Sequence, residues 1–119
     1  MSVDFTDLFA GVRVREIADA RAWYERLLGS EPAFFPDDVE VVWAVGEHRW
    51  FYLLQDGAKA GSALVTIMVA DLDATAEAIR ERGIEPTELE DYGEARKYVF
   101  HDADGNEIGI GQVPQEPGS

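Results

Sequence analysis

Outside its aromatics, this 119-residue chain holds few residues able to do chemistry, and they are scattered. There are two histidines, His48 and His101, and no cysteine, which excludes disulfides, thiolate nucleophiles and thiolate metal sites. His48 falls in a "GEHR" turn and His101 beside "DADG"; two histidines without an evident third ligand fall short of a zinc site. No serine, histidine and acid stand in a readable nucleophilic order, and no glycine-rich phosphate loop occurs. Carboxylates are abundant, 24 Asp plus Glu against 10 Lys plus Arg, so acidic pairs arise without special meaning. The resulting net charge of -14 argues against nucleic-acid backbones and anionic membranes, which need basic patches, and permits a cationic ligand. What stands out is 3 Trp, 4 Tyr and 6 Phe, most of them in short strand-like runs. Aromatic walls with a few polar groups hold planar or cationic organic molecules.

These residues must be positioned by a single small domain, for which 46% hydrophobic content is enough core. No secretory leader pattern and no long apolar run is read, so a cytoplasmic location is expected. An imperfect repeat organises the chain. "VREIADARAWYERLLGSEP" (14–32) matches "VADLDATAEAIRERGIEP" (69–86), each a strand end, an acidic helix start, an amphipathic helix, a glycine and Glu-Pro. Ala20, Tyr24, Leu27 and Leu28 share one helix face, and Leu72, Ala76 and Ile79 another. Gly29 and Gly83 are placed to end the two helices, expected over 18–28 and 72–82. Strand-like runs precede each helix ("LFAGVRV", "ALVTIMV") and three shorter ones follow it. The order is βαβββ twice: module one over about 8–54, a linker at 55–62, module two over 63–112, and a flexible tail at 113–119. The fold class is α+β, and because a lone module leaves one sheet face bare, the two must share a core.

The chain resembles the vicinal oxygen chelate superfamily (glyoxalase, bleomycin-resistance protein, extradiol dioxygenase) over nearly its whole length. The resemblance rests on "VREIADARAWYERLLG" and "FHDADGNEIGI", which stand in register with the repeat. It implies eight strands curved into an open, barrel-like cup with the helices outside, and a homodimer that closes the cup. It also implies metal-ligand positions at Phe9, Tyr52, Leu64 and Gly109, where metal-dependent members carry His, Gln or Glu. Phenylalanine, leucine and glycine offer no side-chain donor, so no metal and no cofactor is expected. The nearest branch in type is the metal-free, bleomycin-resistance-like one.

Strand alternation assigns the cup face. In the first strand Ala10, Val12 and Val14 suit the helix, leaving Phe9 and Arg13 for the cup; in the fifth, Leu64 and Met68 face it. A two-residue turn at Gly46-Glu47 predicts Trp43 opposite Trp50 and Val41 opposite Tyr52, with both tryptophans and Tyr52 in the cup. The corresponding hairpin predicts Tyr98 opposite Gly109 and Phe100 opposite Glu107, with Gly109 making room for a ligand. The expected ligand-binding set is therefore Phe9, Arg13, Trp43, Trp50, Tyr52, Leu64, Met68, Tyr98, Phe100, Glu107 and Gly109, with Glu40 near the rim; no catalytic residue is assigned. The favoured function is sequestration of a small organic ligand, aromatic or cationic, such as an antibiotic or natural product. The alternatives are a lyase, isomerase or oxygenase with unusual or absent metal ligands, and a small interaction module with a filled cup.

Overall fold

Apolar residues at helical spacing build two helices, each opened and closed by local chemistry. In the computed structural model, which describes residues 3–112, α1 runs Ile17–Leu28 and α2 runs Leu72–Glu81. The Asp71 side chain caps α2 by accepting from the Ala74 N–H at 3.0 Å. Gly29 ends α1 at a φ of 74°, where its N–H reaches the Glu25 carbonyl. Arg82 lies across that same terminus and donates to the carbonyls of Arg26 and Leu27, so a cation meets the negative end of α1. Tyr24 and Leu27 of α1, and Leu72, Ala76 and Ile79 of α2, are buried as the spacing requires.

The strands are β1 (Leu8–Val14), β2 (Phe34–Asp37), β3 (Glu40–Gly46) and β4 (Arg49–Gln55), then β5 (Leu64–Met68), β6 (Glu88–Asp91), β7 (Arg96–His101) and β8 (Glu107–Gln112). They form two four-stranded sheets of identical plan, β1-β4-β3-β2 and β5-β8-β7-β6. In each, the first strand runs parallel to the last and the other neighbours are antiparallel. The helix of each module crosses from the first strand to the far edge and covers one sheet face. Both helices thereby seal one core, in which Val12, Val14, Tyr24, Trp43, Phe51, Leu53, Leu72, Ile79, Phe100 and Ile108 are buried together. The other faces have no helix, giving the open cup of an α+β fold built from two βαβββ modules. The expected flexible tail lies outside the described residues.

A clamp made by the "DADGN" turn holds the modules in register. Asp102 Oδ1 accepts from the N–H groups of Asp104 and Asn106, while its Oδ2 accepts from the Tyr24 hydroxyl at 2.7 Å and from Asn106 Nδ2 at 2.9 Å. Asn106 Nδ2 also donates to the Arg13 carbonyl, and its Oδ1 accepts from Gly61 and Ala63 in the connection between modules. The Arg15 N–H adds a bond to Asp104. Burial, followed by the Asp102 carboxylate, pushes the Tyr24 hydroxyl far above its ordinary pKa, so it stays a donor. The "FHDADGNEI" motif is thus structural at Asp102 and Asn106.

Both hairpins differ from expectation by one residue. Gly46 pairs with Arg49 around a Glu47-His48 turn in which His48 takes a φ of 60°. A bulge between Ala44 and Gly46 then sets Trp43 opposite Phe51, and Trp50 opposite Ala44. In the second hairpin the Asp102-centred turn sets Tyr98 opposite Ile110, Val99 opposite Gly109 and Phe100 opposite Ile108. Because side chains alternate, a slip of one residue exchanges faces. Trp43, Tyr98 and Phe100 therefore belong to the helix-facing side, not the cup.

Candidate functional site

The uncovered face of sheet one carries an aromatic cluster. Phe9 stacks on Trp50 with centroids 5.6 Å apart and planes 13° from parallel, and Tyr52 meets Phe9 edge-on at 6.2 Å. Phe34 meets Trp50 edge-on at 5.8 Å. A glycine underlies the arrangement: a Cβ on Gly11 would lie 2.6 Å from the Tyr52 ring, so only glycine lets that ring lie flat against β1. The Trp50 indole N–H donates to Asp7 at 2.7 Å and thereby holds the Asp7 carboxyl below its usual range. Phe9, Phe34, Pro36, Glu40, Val42 and Tyr52 enclose an open concavity of about 300 Å³. Phe9 remains 49% exposed, which no buried core residue approaches.

Sheet two presents a polar face instead. Lys97 extends over Gly109, where an added Cβ would stand 2.6 Å from its Cδ, and its ammonium pairs with Glu90 at 3.2 Å. Glu90 in turn accepts from the Tyr92 hydroxyl at 2.8 Å. The room expected at Gly109 for a ligand is thus taken by the lysine stem. Further along, His101 bridges Thr87 (2.8 Å from Nδ1) and Glu107 (3.6 Å from Nε2). Leu64 and Met68 are exposed on β5.

Of the expected site residues, Phe9, Trp50 and Tyr52 come together, and Leu64, Met68, Glu107 and Gly109 lie on the second sheet's open side. Arg13 is engaged with Asp56 at 3.2 Å. Trp43 is fully buried, with its indole N–H on the Ser30 carbonyl, and Phe100 is 1% exposed; both are core. Tyr98 packs against that core under the Arg80 guanidinium. Three residues of the face went unassigned in the sequence: Phe34, Asp7 and Lys97. The first two lie in segments too short or irregular for alternation to orient them, and Lys97 follows from the corrected hairpin register.

The donor set does not fit a divalent metal. Phe9, Leu64 and Gly109 carry no side-chain donor, and among the described residues no group of three or more His, Asp or Glu side chains is placed to hold an ion.

Known proteins agree with this architecture. The family model described as the glyoxalase/bleomycin resistance protein/dioxygenase superfamily matches residues 7–110. A glyoxalase/bleomycin resistance protein from Catenulispora acidiphila is 43% identical, with 92% of this chain and 100% of that one covered and a TM-score of 0.89. An antibiotic binding protein from Streptomyces is 21% identical, covering 95% of this chain and 98% of its own, at a TM-score of 0.74. A genomically encoded fosfomycin resistance protein from Listeria monocytogenes is 15% identical, covers 94% of each chain and has a TM-score of 0.67. The last two likenesses establish shared fold alone. No curated protein matches. With repeat, sheet plan, family model and a 43% identical relative in agreement, the chain belongs to the glyoxalase/bleomycin resistance protein/dioxygenase superfamily.

Proposed function

We propose that this protein is a metal-free small-molecule binder that sequesters an aromatic or cationic compound, of antibiotic or natural-product type, on its concave face. One observation carries this reading: Phe9, Phe34, Trp50 and Tyr52 form a preassembled aromatic wall on the face that no helix covers. Aromatics needed only for packing are already accounted for on the other side, by Tyr24, Trp43, Phe51 and Phe100. A protein of the same fold is named an antibiotic binding protein, so the fold is compatible with this class of function.

The working form is a homodimer. The chain is a slab 24 Å thick with a radius of gyration of 15.2 Å, against about 13.5 Å for a compact domain of this length. Leu8 and Leu64 are 70% and 69% exposed, as edges awaiting cover would be. Sedimentation at tens of micromolar should give twice the chain mass, and a monomer there counts against this form.

Binding is tested by titrating a panel of planar aromatic and cationic natural products against tryptophan emission. Only Trp50 lies on the concave face, so saturable but partial quenching is expected, with a stoichiometry near one per chain, and Trp50→Ala should remove it. If no compound quenches the wild type, the aromatic wall is ordinary surface and the reading fails. A metal-independent isomerase is the second reading, favoured by the His101–Glu107 pair as a proton-transfer group. Chemical turnover of a bound compound that His101→Gln abolishes would select it.

A further inference from the structure

Resting on the aromatic-wall reading, we infer that Lys97 determines which aromatic compound is taken: one that carries an acceptor oxygen, as a carbonyl, phenolate or acid group, at its ring edge. The chain has two lysines, Lys59 and Lys97, and only Lys97 is on the open face. Its placement is built. Gly109 leaves the space in which its stem lies, Glu90 fixes the ammonium at 3.2 Å, and the Tyr92 hydroxyl fixes Glu90 at 2.8 Å. Sheet one uses the same device, with Gly11 letting Tyr52 lie flat. In each module, then, a glycine on one strand lets a long side chain from a neighbouring strand become the floor of the face.

An ammonium has three donors, and Glu90 is the one side chain paired with it among the described residues. Donors are left for a ligand oxygen without breaking the ion pair. Glu90 also holds the Lys97 pKa above the usual lysine value, so the amine stays protonated and acts as a hydrogen-bonding point charge, not a nucleophile. The side chain is 22% exposed, sheltered yet reachable. Two concavities meet at β5, between Trp50 and Lys97. Thr66 and Met68 line a groove of about 230 Å³ with Leu8 and Trp50, and also a pocket of about 170 Å³ with Tyr92 and Lys97. A ligand long enough to extend from Trp50 across β5 would meet the ammonium.

The test uses two fluorescent probes that share a ring system: anilinonaphthalene sulfonate, which carries acceptor oxygens, and phenylnaphthylamine, which lacks them. Lys97→Met should raise the dissociation constant for the sulfonate about ten-fold or more, the scale of a hydrogen bond to a charged group. It should leave phenylnaphthylamine within about two-fold. Lys97→Arg should keep the preference, and Lys59→Met, with the same charge change on the linker, should move neither probe. Glu90→Gln should act oppositely and tighten the sulfonate by freeing the ammonium. If both probes bind but Lys97→Met shifts them equally, or Lys59→Met matches it, the role of Lys97 is overturned while the aromatic wall stands. If the wild type binds neither probe, the aromatic-wall reading fails and takes the Lys97 role with it.

Discussion

Two sets of aromatic side chains lie on opposite faces of the same sheet, and only one of them holds the fold together. Trp43 and Phe51 face α1 and are fully buried against Tyr24, with ring centroids 5.2–6.3 Å apart. Phe9 and Trp50 are stacked as closely, at 5.6 Å, yet Phe9 stays exposed and Trp50 is only half-buried. Ring-to-ring distances are similar in the two sets; the larger difference is what else touches the rings. A buried ring gains contacts on every side and loses all its water, whereas a ring on the open face keeps one side free for something that is not protein. The contrast breaks first at Trp43. Trp43→Ala should destabilise the protein by about 3–5 kcal/mol, the range for emptying a core aromatic site. A loss under about 1 kcal/mol in urea unfolding would place Trp43 outside the core.

The clamp beneath both faces ranks next. Asn106 is 1% exposed and bonds the Arg13 carbonyl, Asp102 and two backbone N–H groups of the connection. Asn106→Ala strands those partners away from water and should cost about 2–3 kcal/mol. Because the clamp spans the modules, the same change should raise hydrogen exchange at Gly61 and Ala63 more than in α2. Uniform exchange across the chain would show instead that the modules unfold as one unit without it.

The element order was legible because the repeat states it twice. Two amphipathic helices, each closed by a glycine, left little choice for the strands between them, and both helices ended within one residue of expectation. The faces of β1 and β5 were also legible, since small apolar residues alternate there with Phe9, Leu64 and Met68. The hairpin faces were not. Their parity depends on turn length, and a positive φ at His48 and a side-chain-closed turn at Asp102 are tertiary choices that alternation cannot reveal. In "VEVVWAV" and "RKYVF" apolar residues occupy both faces, so the pattern tolerates either register. That is why alternation alone sends Trp43, Tyr98 and Phe100 to the wrong side and passes over Lys97.

Trp50 sharpens the comparison from the other side. Trp50→Ala removes ring pairs with Phe9 and Phe34 and should cost about 0.5–1.5 kcal/mol of stability, well below the Trp43 change. Its larger effect should be on binding, a loss of about 1–3 kcal/mol for any aromatic ligand of the open face. The ratio of the two effects is the decisive quantity. Equal stability losses for Trp43→Ala and Trp50→Ala, with no binding change, would merge the two aromatic sets into one structural population.

The smallest expected effect is none at all: adding a chelator such as EDTA should leave the unfolding temperature and ligand affinity unchanged. A resident metal stabilises the folded state with the logarithm of how far its concentration exceeds its dissociation constant, so removing one that was tightly held shifts unfolding by several kcal/mol. Such an ion needs convergent donors. The positions that the family resemblance marks for them hold Phe9, Tyr52, Leu64 and Gly109, and the stem of Lys97 covers the last. Tyr52, the one side-chain oxygen in that set, lies with its ring over Gly11, and a lone phenol is a poor ligand for a divalent ion. Lys97 and Glu90 are engaged with each other at that end of the face and supply no free donor to an ion. A chelator-sensitive unfolding temperature, matched by one bound ion per chain, would therefore require donors from a partner subunit, and would reopen the reading of Lys97 along with that of the metal.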